Sequence, residues 1–147
     1  MYSFMHKDQK GQSLVEIIVA LAIFSLVALA TSVLFLDSLT SLRVGNELSE
    51  ATALAYEGVD AARSIRDNSW LDLSTGIHGL ADGSGFWEFS GSSDVVGDYT
   101  RTVTVADVSR DGSFDIAGSG TDDPRTKLVT VVVSWNSRGS TRSTTVR

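Results

Sequence analysis

A single acid interrupts the most apolar stretch of the chain. Glu16 stands among Leu14, Val15, Ile17 and Ile18, and from Ile17 to Leu36 the sequence reads IIVALAIFSLVALATSVLFL, 20 residues without a charge. A carboxylate carried into hydrocarbon costs roughly 2.5 to 3.5 kcal/mol on insertion scales, so an acid kept there marks function. Five residues upstream lies Gly11, whose missing side chain lets a protease approach the backbone closely and in extended form. A cut after Gly11 removes a short basic leader and leaves the apolar segment attached, unlike a secretory signal whose apolar core is discarded. It also creates an ammonium on Gln12 beside hydrocarbon. Glu16 carries the opposite charge, available within its own helix or to a neighbouring subunit.

A second group of oxygen-bearing side chains runs through Asp107-Val108-Ser109-Arg110-Asp111-Gly112-Ser113-Phe114-Asp115, with Asp122 and Asp123 following. Oxygens at alternate positions before a glycine have the form of a calcium loop, which makes Asp107, Asp111 and Asp115 candidate ligands. The twelfth position counted from Asp107 is Gly118, where an EF-hand needs a bidentate Glu. A solvated turn built on Asp111-Gly112 is the favoured reading, and no cofactor is expected. His6 lies in the leader, and His78 lies in a Gly-rich segment near Ser74 and Thr75 without a placed nucleophile. The chain has no cysteine, which excludes thiolate chemistry, disulfides and cysteine-bound zinc, and an enzyme is not expected. Twelve Lys+Arg against 18 Asp+Glu give a formal net charge of -6 with no dense basic block, which argues against extensive phosphate neutralisation on nucleic acid.

The element that must carry Glu16 is a helix. At a rise of about 1.5 Å per residue, Ile17 to Leu36 covers about 30 Å, the thickness of a bilayer's hydrocarbon core. Lys7 and Lys10 against Asp8 precede it, so the positive-inside bias keeps the N-terminus cytoplasmic and places everything after Asp37 outside. Beyond the span the helical period continues but becomes amphipathic. Val44, Leu48, Ala51, Ala55, Val59 and Ala62 recur every three or four residues, with Arg43, Glu47, Glu50, Glu57, Asp60, Arg63 and Asp67 on an adjacent face. This predicts one helix from about Gln12 to about Asn68, its second half pressed on a sheet that small alanines allow to come close. Gly45 would loosen it at the junction.

Glycines at positions 76, 79, 83, 85, 91 and 97 mark residues 70–98 as a loop region, with one short strand at Phe86-Trp87-Glu88-Phe89. Strands are expected at Tyr99 to Val108, Lys127 to Trp135 and Ser140 to Val146, the last two joined through Asn136-Ser137-Arg138-Gly139. Trp70, Trp87 and Trp135 are expected in the core and in helix–sheet packing. The fold class is α+β, a long hydrophobic-to-amphipathic helix on a C-terminal antiparallel sheet. Residues 1–11 form the leader, 12–36 the span or filament core and 37–147 the globular domain, with its sheet over 99–147.

The string Lys10-Gly11-Gln12-Ser13-Leu14-Val15-Glu16 and the apolar run after it resemble the cleavage site of type IV prepilins and pseudopilins. The resemblance implies a pilin-like fold and a membrane peptidase that cuts after Gly11 on the cytoplasmic side and methylates the new N-terminus. Gln12 then becomes the first mature residue and Glu16 the fifth, paired with the N-terminus of a neighbouring subunit to set register along a filament. The implied partners are other pilin subunits, the prepilin peptidase, the pilus assembly machinery and the inner membrane, and the final location is an extracellular filament. The stretch from Glu57 to Trp70, EGVDAARSIRDNSW, also resembles a signature of a subset of prepilin-like proteins. Family members most often begin with Phe where this chain has Gln12, and many major pilins carry a disulfide, so the resemblance is to minor or atypical members. Some pseudopilins hold calcium in a late loop.

Other readings stay open. One is a plain signal anchor carrying an outer domain that binds a ligand. Another is a secreted domain released after Ala30, since Ala28-Leu29-Ala30 has the small-x-small form and the 14 residues from Ile17 to Ala30 make an apolar core. Glu16 at the edge of that core, and Val33 to Leu36 beyond it, argue against release. Replacing Gly11 by Leu is expected to leave an uncut, membrane-bound chain, read by intact mass. A Gly11→Leu chain that still starts at Gln12 would refute the assigned cleavage site.

Overall fold

Helix α1 runs Lys10–Asn68, ending where the apolar period of the sequence ends. The computed structural model describes residues 10–147 except Ser84, with side chains from Leu14 onward. Residues 1–9 of the expected leader, His6 and Lys7 among them, lie outside the described residues, as does the side chain of Gln12. The chain divides into two compact units between Arg43 and Val44. In the first, Leu14 to Leu36 is exposed throughout except for the partly buried Ala28.

The second unit holds the sheet. Its strands are β1 Gly76–His78, β2 Leu80–Asp82, β3 Trp87–Phe89, β4 Asp94–Val96, β5 Tyr99–Arg110, β6 Ile116–Ala117, β7 Thr121–Ser137 and β8 Ser140–Val146. Among the described residues, six strands form an antiparallel sheet of order β1-β5-β7-β8, with β4 and β6 also paired to β5, while β2 and β3 pair apart. Along β5 and β7 the alternation of side chains makes one face apolar: Tyr99, Val103, Val105, Val131, Val133 and Trp135 are buried, whereas Thr100, Thr102 and Thr104 are partly exposed. The architecture is thus α+β, a long N-terminal helix packed on an antiparallel sheet.

The buried stripe of α1 consists of Ala51, Ala55, Val59 and Ala62, joined by Ala61 and Ile65. It starts about two turns later than the period suggests, for Val44 is only partly buried and Leu48 is 47% exposed. At this level Tyr99, the first residue of β5, lies opposite Trp135 of β7, and their polar atoms bond to α1 at Glu47 and Glu50. The helix comes close to the sheet at Gly58, where a Cβ would stand 2.8 Å from Val131 Cγ1 and 3.2 Å from Arg101 Cδ.

Four three-residue strands, β1 to β4, lie in the segment read as loop, where only β3 was anticipated. Strand β7 begins six residues before the expected Lys127, at Thr121. Its register jumps from Asp107 opposite Lys127 to Val108 opposite Asp123, so Pro124, Arg125 and Thr126 bulge out of the ladder. Proline has no amide to give a ladder and is at home in such a bulge. The β7–β8 hairpin turns through Arg138 and Gly139 at φ 55° and 78°, the two positive values that a two-residue type I′ turn requires.

Two glycines of α1 predict opposite outcomes. Gly58→Ala should destabilise the globular unit by about 1 to 3 kcal/mol, because the β-branched Val131 beneath has little room to yield. Gly45→Ala, with nothing within 4 Å, should stabilise the helix by up to about 1 kcal/mol. Thermal melts of the full chain in detergent check both signs, and equal effects would contradict the close approach at Gly58.

Candidate functional site

The described part of the N-terminal site is a helix surface with one charge. Glu16 is exposed beside Val15, Val19 and Ala20, and among the described residues its carboxylate has no hydrogen-bond or ion-pair partner. The hydroxyls in and after the span do have partners. Ser25 donates to the Leu21 carbonyl at 2.8 Å, Ser32 to Ala28 at 2.7 Å, Thr40 to Leu36 at 2.9 Å, and Thr31 reaches both Val27 and Ala28 at 3.0 Å. Bonded back to the preceding turn, these groups can enter hydrocarbon without stranding a donor, which leaves Glu16 as the polar group that needs an outside partner. The Gly11–Gln12 peptide lies in the first turn of α1 rather than in an extended segment. First-turn amides lack intrahelical acceptors and fray readily, so unwinding there for a protease costs little.

The acidic loop spends its carboxylates on protein partners. Asp107 pairs with Lys127 and accepts the Thr75 hydroxyl at 3.3 Å; the Lys127 bond holds its carboxyl below the ordinary range despite an opposing burial effect. Asp111 Oδ1 accepts the amides of Ser113 at 2.8 Å and Asp115 at 3.1 Å, a turn capped on itself. Asp123 accepts from Thr126 Oγ1 at 2.7 Å, Arg110 Nε at 2.7 Å and the Arg125 amide at 2.9 Å, and these bonds lower its pKa to about 2. Among the described residues, no three His, Cys, Asp or Glu side chains are placed to hold a metal ion, and Asp107, Asp111 and Asp115 are not gathered into such a group.

His78 makes no nucleophile contact. Its Nε2 lies 2.9 Å from the backbone carbonyl of Ser74, not the hydroxyl, and its ring stacks on Phe89 at 4.2 Å. Thr75 is occupied by Asp107 and Lys127. Of the tryptophans, Trp135 is buried and gives its indole N–H to Glu47 Oε2 at 3.3 Å, and Trp87 is partly buried. Trp70 corrects the expectation of a core role: it is 38% exposed, two residues past the end of α1, at the side of a cleft that it shares with Arg125 to Val129 of β7. Tyr99, buried and bonded to Glu50, is held above its ordinary pKa by burial first and that bond second, so it stays a donor to the helix.

Sequence reasoning missed Arg101. Its side chain is 2% exposed, shares the inward face with Val103 and Val105, and reaches Asp94 Oδ2 from Nη2 at 2.8 Å and from Nε at 3.2 Å. Nη1 donates to the Leu54 carbonyl at 3.3 Å and lies 3.5 Å from Glu57, while the guanidinium sits 5.7 Å from the centroid of the Trp87 ring. The sign was there to read, since a charge at an apolar position of an alternating strand is buried with a partner or not at all.

Residues 6–32 match the family described as the prokaryotic N-terminal methylation motif, which is the type IV prepilin-type signal. The match ends inside the apolar span and does not reach the sheet. No curated protein matches the chain, and no solved structure matches it.

The loop geometry yields a pH prediction. Asp123 sits at about 2 against an ordinary 3.8, and a carboxylate with a lowered folded pKa stabilises the fold above its unfolded value and loses that contribution as pH falls toward the folded one. Asp123→Asn should therefore flatten the loss of stability seen by thermal melts between about pH 4 and pH 2. Millimolar calcium should leave the melt where chelator leaves it. A large calcium-dependent rise that disappears in Asp111→Ala would make this loop a metal site.

Proposed function

We propose that this chain is a structural subunit of a type IV pilus or related pseudopilus. It inserts as a single-pass precursor with its N-terminus in the cytoplasm, is cut after Gly11 by prepilin peptidase, is methylated at Gln12, and packs into an extracellular filament through its N-terminal helix. The supporting observation is that the prepilin-type signal motif runs into a helix whose apolar residues from Leu14 to Leu36 are left exposed among the described residues. Such a surface is satisfied by lipid before assembly and by the same surface of other copies afterwards.

The charge at Glu16 gives that exchange a direction. Helices moving from lipid to a helix bundle gain little hydrophobic energy, because lipid tails are as apolar as leucine, so packing and polar contacts decide the association. An ammonium on Gln12 and the carboxylate of Glu16 on a neighbouring copy attract by about 1 kcal/mol at 4 Å in water and about 4 kcal/mol at an effective dielectric constant of 20. That attraction exists only after cleavage has freed the amine. Processing therefore licenses assembly, and an uncut precursor lacks the cation that its neighbour's Glu16 needs. The acid also penalises staying in the bilayer alone.

Glu16→Ala should insert in the membrane at least as readily and still be cut after Gly11. Its amount in filaments sheared from cells should fall by about fivefold or more, the factor that corresponds to losing the ammonium pair at about 1 kcal/mol. Wild-type amounts of the variant in the sheared fraction would remove Glu16 from assembly. Failure of the wild-type chain to enter any sheared or secreted filament would defeat the subunit reading itself.

A further inference from the structure

One cleft of the globular unit gathers cations in a chain that is acidic overall. Arg63, Arg66, Arg125, Lys127 and Arg147 line a space of about 340 Å³ between the end of α1 and the bulged start of β7, so five of the chain's 12 Lys and Arg meet there while the net charge is -6. Three of them have carboxylate neighbours: Arg63 with Asp60, Arg66 with Asp67, and Lys127 with Asp107. Among the described residues, Arg125 and Arg147 have no ion pair. The floor is apolar, with Leu73, Leu128 and Val129 in the lining and the partly exposed Trp70 at the side. An occupant that satisfies both must be negatively charged and apolar at once, with an aromatic or aliphatic group to set on the floor.

The same chain carries a segment of that chemistry. The loop after β5 presents Phe114, 80% exposed, and Ile116, 65% exposed, with Asp115 next to Phe114 in sequence and Asp111 three residues before it. Phe114 is held outward at φ 66°, its amide bonded to the Asp111 carbonyl at 3.0 Å and its own carbonyl to Arg110 Nη1 at 2.7 Å. A loop already fixed in this shape loses little freedom on docking. Its exposure shows that Phe114 does not fill the cleft of its own copy.

We infer that the cleft lined by Arg125 and Arg147 is the socket for the Phe114 loop of a second copy of this chain. The inference rests on the subunit reading above, to which it adds a contact between globular domains. A hydrophobic knob and a pocket elsewhere on the same molecule form a head-to-tail contact, the type that propagates into filaments when it does not close into a ring. A cleft of roughly this size, at the lower end of ordinary ligand sites, admits a ring and its neighbours but not a folded domain. The contact is small and its charges lie near solvent, so it is weak alone and acts once the membrane or the helical core holds the copies together.

The absence of native cysteine makes the test clean. Two tagged versions of the full chain are produced in one cell, one with Phe114→Cys and the other with Leu128→Cys, and mild oxidation is followed by quantifying the mixed dimer. Its yield should exceed, by about fivefold or more, that of Phe114→Cys with Ser143→Cys on the exposed face of β8. Adding Arg125→Glu to the Leu128→Cys copy should lower the yield, and adding Asp115→Arg to the Phe114→Cys copy should restore it. Filaments that form without a mixed dimer above the Ser143→Cys level would overturn the socket and leave the subunit reading intact. A mixed dimer in membranes without filaments would uphold the socket and overturn the subunit reading. Retention of a single-stranded oligonucleotide that falls in Arg125→Glu, with dimer yield unchanged, would assign the cleft to a soluble anion and overturn the inference.

Discussion

Among the described residues, the apolar surface from Leu14 to Leu36 is left exposed, and it is the deficit that the proposed function has to meet. An exposed hydrophobic surface of this length is not stable in water and must be met by lipid or by other helices. The hydroxyls along it are turned back onto the preceding carbonyls, so the deficit is purely apolar except at Glu16. The later part of α1 solves the same problem internally. Its alanines give away bulk so that the valines of β5 and β7 can come close, and at Gly58 even a methyl group is too much. The first part is left for an external surface and the second is closed by the chain's own sheet.

Within the globular unit, position is specified by a buried cation as well as by apolar packing. Arg101 ties the Leu54 carbonyl and Glu57 of α1 to Asp94 of β4, and Asp94 Oδ1 in turn accepts the Leu80 amide of β2 at 2.9 Å. The short strands β2 and β4 would otherwise have few contacts to hold them. Burying such a pair is close to neutral in net stability, whereas removing one partner costs about 3 to 5 kcal/mol. Its contribution is therefore to fix where the short strands sit. Tyr99 and Trp135 close the end of the sheet against Glu47 and Glu50 in the same manner, with polar atoms satisfied and rings packed.

The long elements were legible from the residues. The uncharged run, with Glu16 at its edge and a glycine five residues before that acid, is plain in the sequence, and the matched motif over residues 6–32 covers the glycine, the acid and part of the run. Helix α1 follows from a helical period sustained over many residues and β8 from its Thr and Val content. Strands of three residues were not legible, because a period of two cannot be recognised in three positions. Pro124 concealed the start of β7, since proline ordinarily ends a strand and only the bulge lets this one continue. Trp70 misled because aromatic character predicts burial only where packing is close, and this ring sits at the side of an open cleft. The cationic cleft escaped notice because Arg63 and Arg66 on the helix, Arg125 and Lys127 at the bulge, and Arg147 just after β8 are scattered in sequence and brought together by the fold.

In the proposed function, cleavage after Gly11 is the step from which the ammonium, its pairing with Glu16 and the exchange of lipid for other subunits would all follow. The intact mass of the wild-type chain recovered from membranes and from the sheared surface fraction tests it most directly. A chain beginning at Gln12, with one added methyl group, is the predicted species in both fractions. A chain beginning at Met1 throughout, or one beginning at Thr31 and found free in the medium, would contradict it.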